Sequence, residues 1–190
     1  LFNEMWIQTI CWQMIDVNLT VSDEGSFDDI SQKNFLKTSN YSFIKPMQMW
    51  AILAGAQDDV LEQLQNLWTY LGQAFQVRDD LKDIVLDTGN SSKSRFNDIK
   101  EWAQTIFTDY IFTHSSQQDK EFLKSCMWKT LDDEKISKLQ EVFEQNWAIE
   151  YGLSLISQNL DLAKKNLKEI NIDDKYKNLY QMIIDMISKI

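Results

Sequence analysis

Proline and glycine are scarce in this sequence, with one proline and five glycines among 190 residues. Sheet proteins need both residues in the tight turns between their strands, so a chain this poor in them favours helices. No internal repeat and no shift in composition divides the chain. We therefore expect an all-α protein with a single helical domain over residues 1–190.

The spacing of apolar residues predicts where the helices lie. The clearest stripe recurs at alternating steps of four and three residues, which keeps it on one helical face; its members are Ile149, Leu153, Ile156, Leu160, Ala163, Leu167 and Ile170. We expect this stripe on one long helix that begins near Thr130, where Thr130 and Asp133 resemble a capping box. A final helix should follow residues 173–174, with Leu179, Ile183, Met186 and Ile190 on its apolar face. Earlier helices are predicted at 1–18, 27–56, 58–87, 95–113 and 117–128.

Charge, hydropathy and cysteine usage exclude several classes of function. The 19 Lys and Arg residues are outnumbered by 29 Asp and Glu, for a net charge of −10. Such an acidic surface repels phosphate backbones, so we expect no nucleic-acid partner. No apolar run reaches the roughly 18 residues that indicate a membrane span. Cys11 and Cys126 fit buried thiols of a cytoplasmic protein, and the single His114 excludes a histidine-based metal site.

An acidic cluster stands out in the segment YLGQAFQVRDDLKDIVLD, residues 70–87. On a helix, Asp79 and Asp83 lie one turn apart on the same face, with Gln76 one turn earlier and Asp80 beside them. Two carboxylates about 6 Å apart repel by roughly 3 kcal/mol at an effective dielectric of about 20. The cluster therefore favours a bound cation, and ligands that are all oxygen favour Mg²⁺. A solvated acidic face would produce the same pattern.

The residues around this cluster resemble a known family. The stretch GQAFQVRDDLKD is similar to the second aspartate-rich motif of the trans-isoprenyl diphosphate synthases, or polyprenyl synthetases, which runs close to G-x-A-F-Q-x-x-D-D-x-x-D. Upstream, LKTSNYSFIKPMQMWAILAGA looks like the family's Lys-Thr segment, and WQMID looks like its G-Q-x-x-D. Downstream, GNSSKSRFNDIKEWAQT is similar to its G-K-x-x-G-x-D-I-x-E-G-K-x-T stretch. Four motifs in this order make the resemblance specific over essentially the whole chain.

This resemblance implies an activity and a set of site residues. The fold would be a helical bundle of the isoprenoid synthase type. The reaction would be the Mg²⁺-dependent condensation of isopentenyl diphosphate with an allylic diphosphate, by ionisation, condensation and elimination, in a homodimer. The implied metal ligands are Asp79, Asp80 and Asp83. The implied diphosphate-binding lysines are Lys37 and Lys93. The implied catalytic groups are Lys37, Thr38 and Gln76.

The sequence also departs from the family pattern. The family's first aspartate-rich motif has no counterpart before Gln13, so we expect a C-terminal larger part of a synthase that is inactive alone. Trp102 and Ala103 replace a Gly-Lys pair, and Phe96 replaces a glycine. A non-catalytic regulatory subunit of a heteromeric synthase is the main alternative. A terpene cyclase and a helical interaction module are weaker ones.

Tryptophan outnumbers glycine, seven to five. Six tryptophans stand where the family pattern has glycine: Trp12, Trp50, Trp68, Trp102, Trp128 and Trp147. Glycine at helix crossings permits close backbone approach, and an indole there would overpack the core. We therefore hypothesise that the gene comes from an organism that reads UGA as glycine, and that its translation used a code reading UGA as tryptophan. The alternative is a divergent protein that has repacked around bulky residues.

Overall fold

The computed structural model describes residues 1–21, 26–85 and 95–189, and nearly all of them are helical. In chain order the elements are α1 (Phe2–Val21), α2 (Phe27–Asn34), a π-helix (Phe35–Ile44), α3 (Lys45–Leu53), α4 (Asp58–Val85), α5 (Asn97–Lys100), α6 (Ile106–His114), α7 (Gln117–Cys126), α8 (Asp133–Gln145), α9 (Ala148–Glu169) and α10 (Asp174–Ile187). These ranges contain no strand, which confirms the all-α prediction.

The predicted helix over 27–56 is one continuous run whose middle is wider than an α-helix. Its first part, α2, begins at a capping box in which Ser26 and Asp29 exchange side-chain and backbone hydrogen bonds. From Phe35 onward the backbone is a π-helix, and the Lys45 N–H donates to the Asn40 carbonyl, five residues earlier. Long π-helical stretches are rare and often accompany functional sites. This one carries Lys37 and Thr38.

Two of the predicted helices are broken in the structure. The helix expected at 95–113 is interrupted between α5 and α6. The helix expected to begin near Thr130 begins instead after Asp132, which caps the Lys135 N–H at 2.9 Å, and it ends before Trp147. Trp102 and Trp147 have φ angles of 55° and 62°, in the left-handed region. A left-handed residue stops a right-handed helix, and nothing in an indole side chain predicts that conformation.

The described elements share one hydrophobic core, with α4 running between α9 and the π-helix. The stripe predicted on α9 is buried along most of its length, although Leu153 is exposed. On α10 the buried face lies one residue later than predicted: Tyr180, Ile184 and Ile187 are buried, and Leu179 and Met186 are exposed.

The two cysteines differ in their exposure. Cys126 is buried, but Cys11 is exposed on α1, so the prediction that both thiols are buried is wrong for Cys11. It fails because Cys11 lies on the solvent-exposed face of α1. Among the described helices, none is both long and apolar enough to cross a membrane.

The π-helix and α4 approach each other most closely at Gly72. A Cβ atom added to Gly72 would lie 2.6 Å from the Ser39 Cα atom, a separation that real Cβ atoms do not show. The Ser39 hydroxyl donates to the Thr69 carbonyl at 3.3 Å on the same side of α4. Glycine at position 72 therefore sets how near the π-helix can come to α4.

We expect Gly72→Ala to destabilise the protein. Alanine is favoured over glycine inside a helix by about 0.5–1 kcal/mol, but overpacking against backbone costs about 1–3 kcal/mol. The cost of the clash should exceed the gain in helix propensity, and denaturant unfolding should show a net loss in the free energy of unfolding. Gln73→Ala, at the next position, is the matched control and should stay within about 0.5 kcal/mol of the parent. Equal stabilities of the two variants would contradict the close-packing argument.

Candidate active site

A hydrogen-bonded chain of three polar side chains crosses from the π-helix to α4. The Thr38 hydroxyl donates to the Gln76 Oε1 atom in a short hydrogen bond. The Gln76 Nε2 atom then donates to the Asp80 Oδ1 atom at 2.7 Å. Thr38 and Asp80 are both buried, and Gln76 is half-buried between them. Three of the residues predicted for the site are thus brought into one connected group.

Asp80 is a buried carboxylate with an unusual protonation equilibrium. Its pKa is raised to about 7, chiefly by burial and also by Asp98 and Asp79, while Gln76 and Lys33 act in the opposite direction. Desolvation disfavours the charged form of an acid, and nearby negative charges add to the effect. Asp80 therefore exchanges its proton near neutral pH, and a cation nearby would favour its charged form.

The three predicted metal ligands differ in their surroundings. Asp79 is exposed at the surface of α4 and Asp80 is buried beneath it. Asp83 accepts hydrogen bonds from the Asn97 Nδ2 atom at 3.1 Å and from the Asp98 backbone N–H at 3.0 Å. Asp83 thus holds the start of α5 against α4, which the acidic pattern alone did not predict.

Asp98 is a site residue that the sequence analysis did not single out. It follows Asn97 at the start of α5, and its pKa is raised to about 6, chiefly by burial and also by Asp83 and Asp79. Lys33 and Lys37 lower it. Asp98 is the aspartate of the NDIKEW stretch in the downstream motif, so the motif itself could have identified it as a site residue.

Two lysines face the acidic group from the other side. Lys37 is exposed, and its Nζ atom lies 5.7 Å from the centroid of the Trp12 ring. Lys33, one turn earlier, is buried; its Nζ atom pairs with Asp16 at 3.2 Å and donates to the Gln104 carbonyl at 2.9 Å. Lys33 was not among the predicted site residues, although its position four residues before Lys37 placed it on the same side of the helix. The predicted diphosphate ligand Lys93 lies outside the described residues.

The donor set suits a hard cation that is shared with a substrate. Within the described ranges, no three acidic, histidine or cysteine side chains converge on one point that could hold a metal. Mg²⁺ is usually bound through one or two carboxylates together with substrate phosphates, rather than by a complete protein cage. An exposed Asp79 beside a buried Asp80 is compatible with that arrangement, and both supply oxygen only.

The chain is similar in sequence to several known proteins. The sequence matches the polyprenyl synthetase family over residues 1–146. It is 25% identical over 171 residues to the geranylgeranyl diphosphate synthase of Saccharolobus solfataricus, covering 83% of this chain and 51% of that protein. It is 28% identical over 137 residues to the short chain isoprenyl diphosphate synthase of Methanothermobacter thermautotrophicus, covering 72% and 42%. The chain therefore spans about half the length of these relatives.

A solved structure shares the fold. The geranylgeranyl pyrophosphate synthase from Corynebacterium glutamicum, whose crystal structure is a complex with isoprenyl diphosphate and magnesium, matches with a TM-score of 0.91. The match covers 99% of this chain and 54% of that one at 22% identity, so it is evidence for the fold alone. The family match extends over more than half of the chain and includes the aspartate-rich segment, the Lys-Thr segment and the WQMID stretch. It confirms the resemblance seen in the motifs: this chain belongs to the polyprenyl synthetase family.

Proposed function

We propose that the chain forms part of a prenyltransferase that condenses isopentenyl diphosphate with an allylic diphosphate into a longer polyprenyl diphosphate. The observation that supports this most directly is the hydrogen-bonded chain from Thr38 through Gln76 to Asp80. It joins the segment that carries Lys37 to the acidic face of α4. A cationic side chain and a carboxylate cluster on two facing helices suit a diphosphate with its metal ions.

The reaction requires stabilisation of negative charge on one side and of positive charge on the other. As the diphosphate leaves the allylic carbon, negative charge grows on its bridging oxygen, and the Lys37 ammonium stabilises it. Mg²⁺, when bound at Asp79 and Asp80, supplies further charge neutralisation there. The oxygens of Thr38 and Gln76 are dipoles that stabilise the allylic cation. The double bond of isopentenyl diphosphate then attacks and a proton leaves, so no side-chain nucleophile is needed.

The three aspartates take different roles in this proposal. Asp79 is exposed and binds metal directly. Asp80 is held by Gln76 and becomes charged when the cation is present. Asp83 orients α5, and with it the buried carboxylate of Asp98, through the hydrogen bonds described above. The protein-side metal ligand set is therefore centred on Asp79 and Asp80.

The surface of α1 bears on assembly. A stripe of exposed apolar side chains runs along it: Phe2, Trp6, Ile7, Ile10, Met14, Val17 and Val21. Contiguous apolar surface of this kind is typically buried against other protein. We include in the proposal a cytoplasmic homodimer of the complete synthase, and a strictly monomeric complete protein in sedimentation would contradict the dimer.

A regulatory subunit without catalytic activity is the second candidate. The observation that favours it is Ala103, which stands where the family motif has a lysine. Against it, the described residues retain the Lys37, Thr38, Gln76 and Asp80 arrangement. A subunit with no catalytic role has no physical need for this connected polar chain.

Residues 1–190 on their own should not condense the two diphosphates. These residues contain one DDxxD sequence, so the metal ions would have protein ligands on one side only. A radiolabelled assay with Mg²⁺, isopentenyl diphosphate and an allylic diphosphate measures this directly. The complete protein should be active in the same assay. An inactive complete protein that changes a partner synthase's product length would support the regulatory subunit instead.

In the complete protein, Asp79→Ala should lower turnover by about 10²–10³-fold, because it removes one charged contact that stabilises the departing diphosphate. Folding should be unaffected or slightly improved, since the change relieves repulsion within the acidic group. Glu62→Ala, at another exposed acidic position of α4, is the matched control and should keep full turnover. Turnover within a few-fold of the parent would show that Asp79 is not a metal ligand.

The metal-free protein should lose stability as the pH rises. The pKa of Asp80 is raised from 3.8 to about 7 in the folded protein, so the folded state binds more protons than the unfolded state between these values. The loss should occur from about pH 4 to 7 and be on the order of a few kcal/mol. Thermal melts with EDTA would show it, and Mg²⁺ should reduce it.

Asp80→Asn is the control for this pH dependence. It removes the titrating carboxyl, so the slope should become shallower, with a remainder from Asp98, whose pKa is raised to about 6. An unchanged slope in Asp80→Asn would assign the titration to another group.

A further inference from the structure

Left-handed backbone is concentrated at tryptophan in this protein. Among the described residues, four that are not glycine have positive φ, and three of them are tryptophans: Trp102, Trp128 and Trp147. Only a few per cent of non-glycine residues adopt positive φ, and for a bulky side chain it is a genuine outlier. Tryptophan contributes 7 of 190 residues, so three of four cannot reflect its abundance.

Trp102 occupies the position of a helix ending that glycine normally fills. After α5, the Ala103 N–H donates to the Asp98 carbonyl at 2.7 Å and the Trp102 N–H donates to the Ile99 carbonyl at 3.2 Å. This pair of bonds defines the Schellman motif, with Trp102 as its left-handed residue at φ 55°. Glycine is favoured there because it has no Cβ to clash with the following carbonyl.

Trp147 and Trp128 stand in similar places. Trp147, at φ 62°, follows the last turn of α8, and its N–H donates to the Glu144 carbonyl at 3.1 Å. Trp128, at φ 56°, follows α7; the preceding Met127 has φ −65° and ψ 144°. An extended residue followed by a positive φ is the geometry of a type II turn, whose third residue is normally glycine.

Trp128 and Trp147 gain little from burial that would offset their strained backbone. Their side chains are 64% and 66% exposed, so little apolar burial offsets the left-handed conformation. Phe96, the fourth residue with positive φ, is different: it is fully buried, packs on Phe143 with ring centroids 5.8 Å apart, and its N–H donates to the Asp83 carbonyl at 2.9 Å. Contacts of this kind explain a phenylalanine at such a position, whereas the exposed Trp128 and Trp147 have no such burial. Trp102 is buried like Phe96 and packs on Phe112 with ring centroids 6.1 Å apart, so its assignment rests on the Schellman geometry.

We propose that positions 102, 128 and 147 are glycine in the native protein, encoded by UGA codons that its organism reads as glycine. The tryptophans at these positions then result from translation with a code that reads UGA as tryptophan. The two helix breaks that the sequence pattern failed to predict fall at Trp102 and Trp147, where glycine would have marked them. The inference stands on backbone conformation and does not depend on the catalytic proposal.

The same reading of UGA as glycine would apply to three tryptophans within helices, Trp12, Trp50 and Trp68. Their backbone is helical and does not discriminate between the two residues. Trp12 bears on the site, since its ring lies 5.7 Å from the Lys37 Nζ atom. Glycine at position 12 would remove that ring from beside the proposed diphosphate-binding lysine.

The codons give the decisive test. We expect UGA at positions 102, 128 and 147, and UGG at any of the three would overturn the proposal for that position. Mass spectrometry of the protein isolated from its own organism is the independent readout. Peptides that span these positions should carry glycine, and peptides that carry tryptophan would overturn it.

Variants of the complete protein test the physical argument separately. Trp128→Gly and Trp147→Gly should each raise the melting temperature by a few degrees, because glycine relieves the strain of the left-handed backbone. Trp6→Gly is the matched control, since Trp6 is 53% exposed within α1, and it should lower the melting temperature. A fall in all three variants would overturn the strain argument. If a variant does not fold, the codon and mass-spectrometric results still decide the proposal.

Discussion

The close approach of the π-helix to α4 is the constraint on which the site depends. At Gly72 the two backbones are near enough that no side chain fits between them, and Ser39 lies directly opposite. Thr38, the neighbour of Ser39, reaches Gln76 one turn further along α4 only because of this proximity. A larger residue at position 72 would separate the helices and break the polar chain that leads to Asp80. The packing of one glycine thus determines the geometry of a polar group several residues away.

Electrostatics then distinguishes residues that look equivalent in the sequence. Asp79 and Asp83 share a face of α4 with Asp80 beside them, but burial raises the pKa of Asp80, and hydrogen bonds tie Asp83 to the start of α5. Lys33, on α2, offsets part of the negative charge of the buried Asp80. The group holds more carboxylates than nearby lysines among the described residues, and this excess of negative charge favours a bound divalent cation.

The helix endings of this chain bear on the identity of its residues. Helix endings need a residue that tolerates left-handed backbone, and glycine supplies it because it lacks a Cβ. At Trp102 and Trp147 the residue with left-handed backbone is a tryptophan. Residue type and backbone conformation agree along most of this chain, so a disagreement that recurs at one residue type points to the residue assignment.

The sequence by itself determined the helical class, the family, the acidic face of α4 and the Lys-Thr segment. These follow from local spacing, because residues three or four apart share a helical face whatever surrounds them. Only the tertiary structure decided that Asp83 anchors α5, that Lys33 reaches Asp16, and that the buried face of α10 includes Tyr180. Such contacts join elements far apart in the chain. Their geometry depends on how closely whole helices pack, which no local pattern encodes.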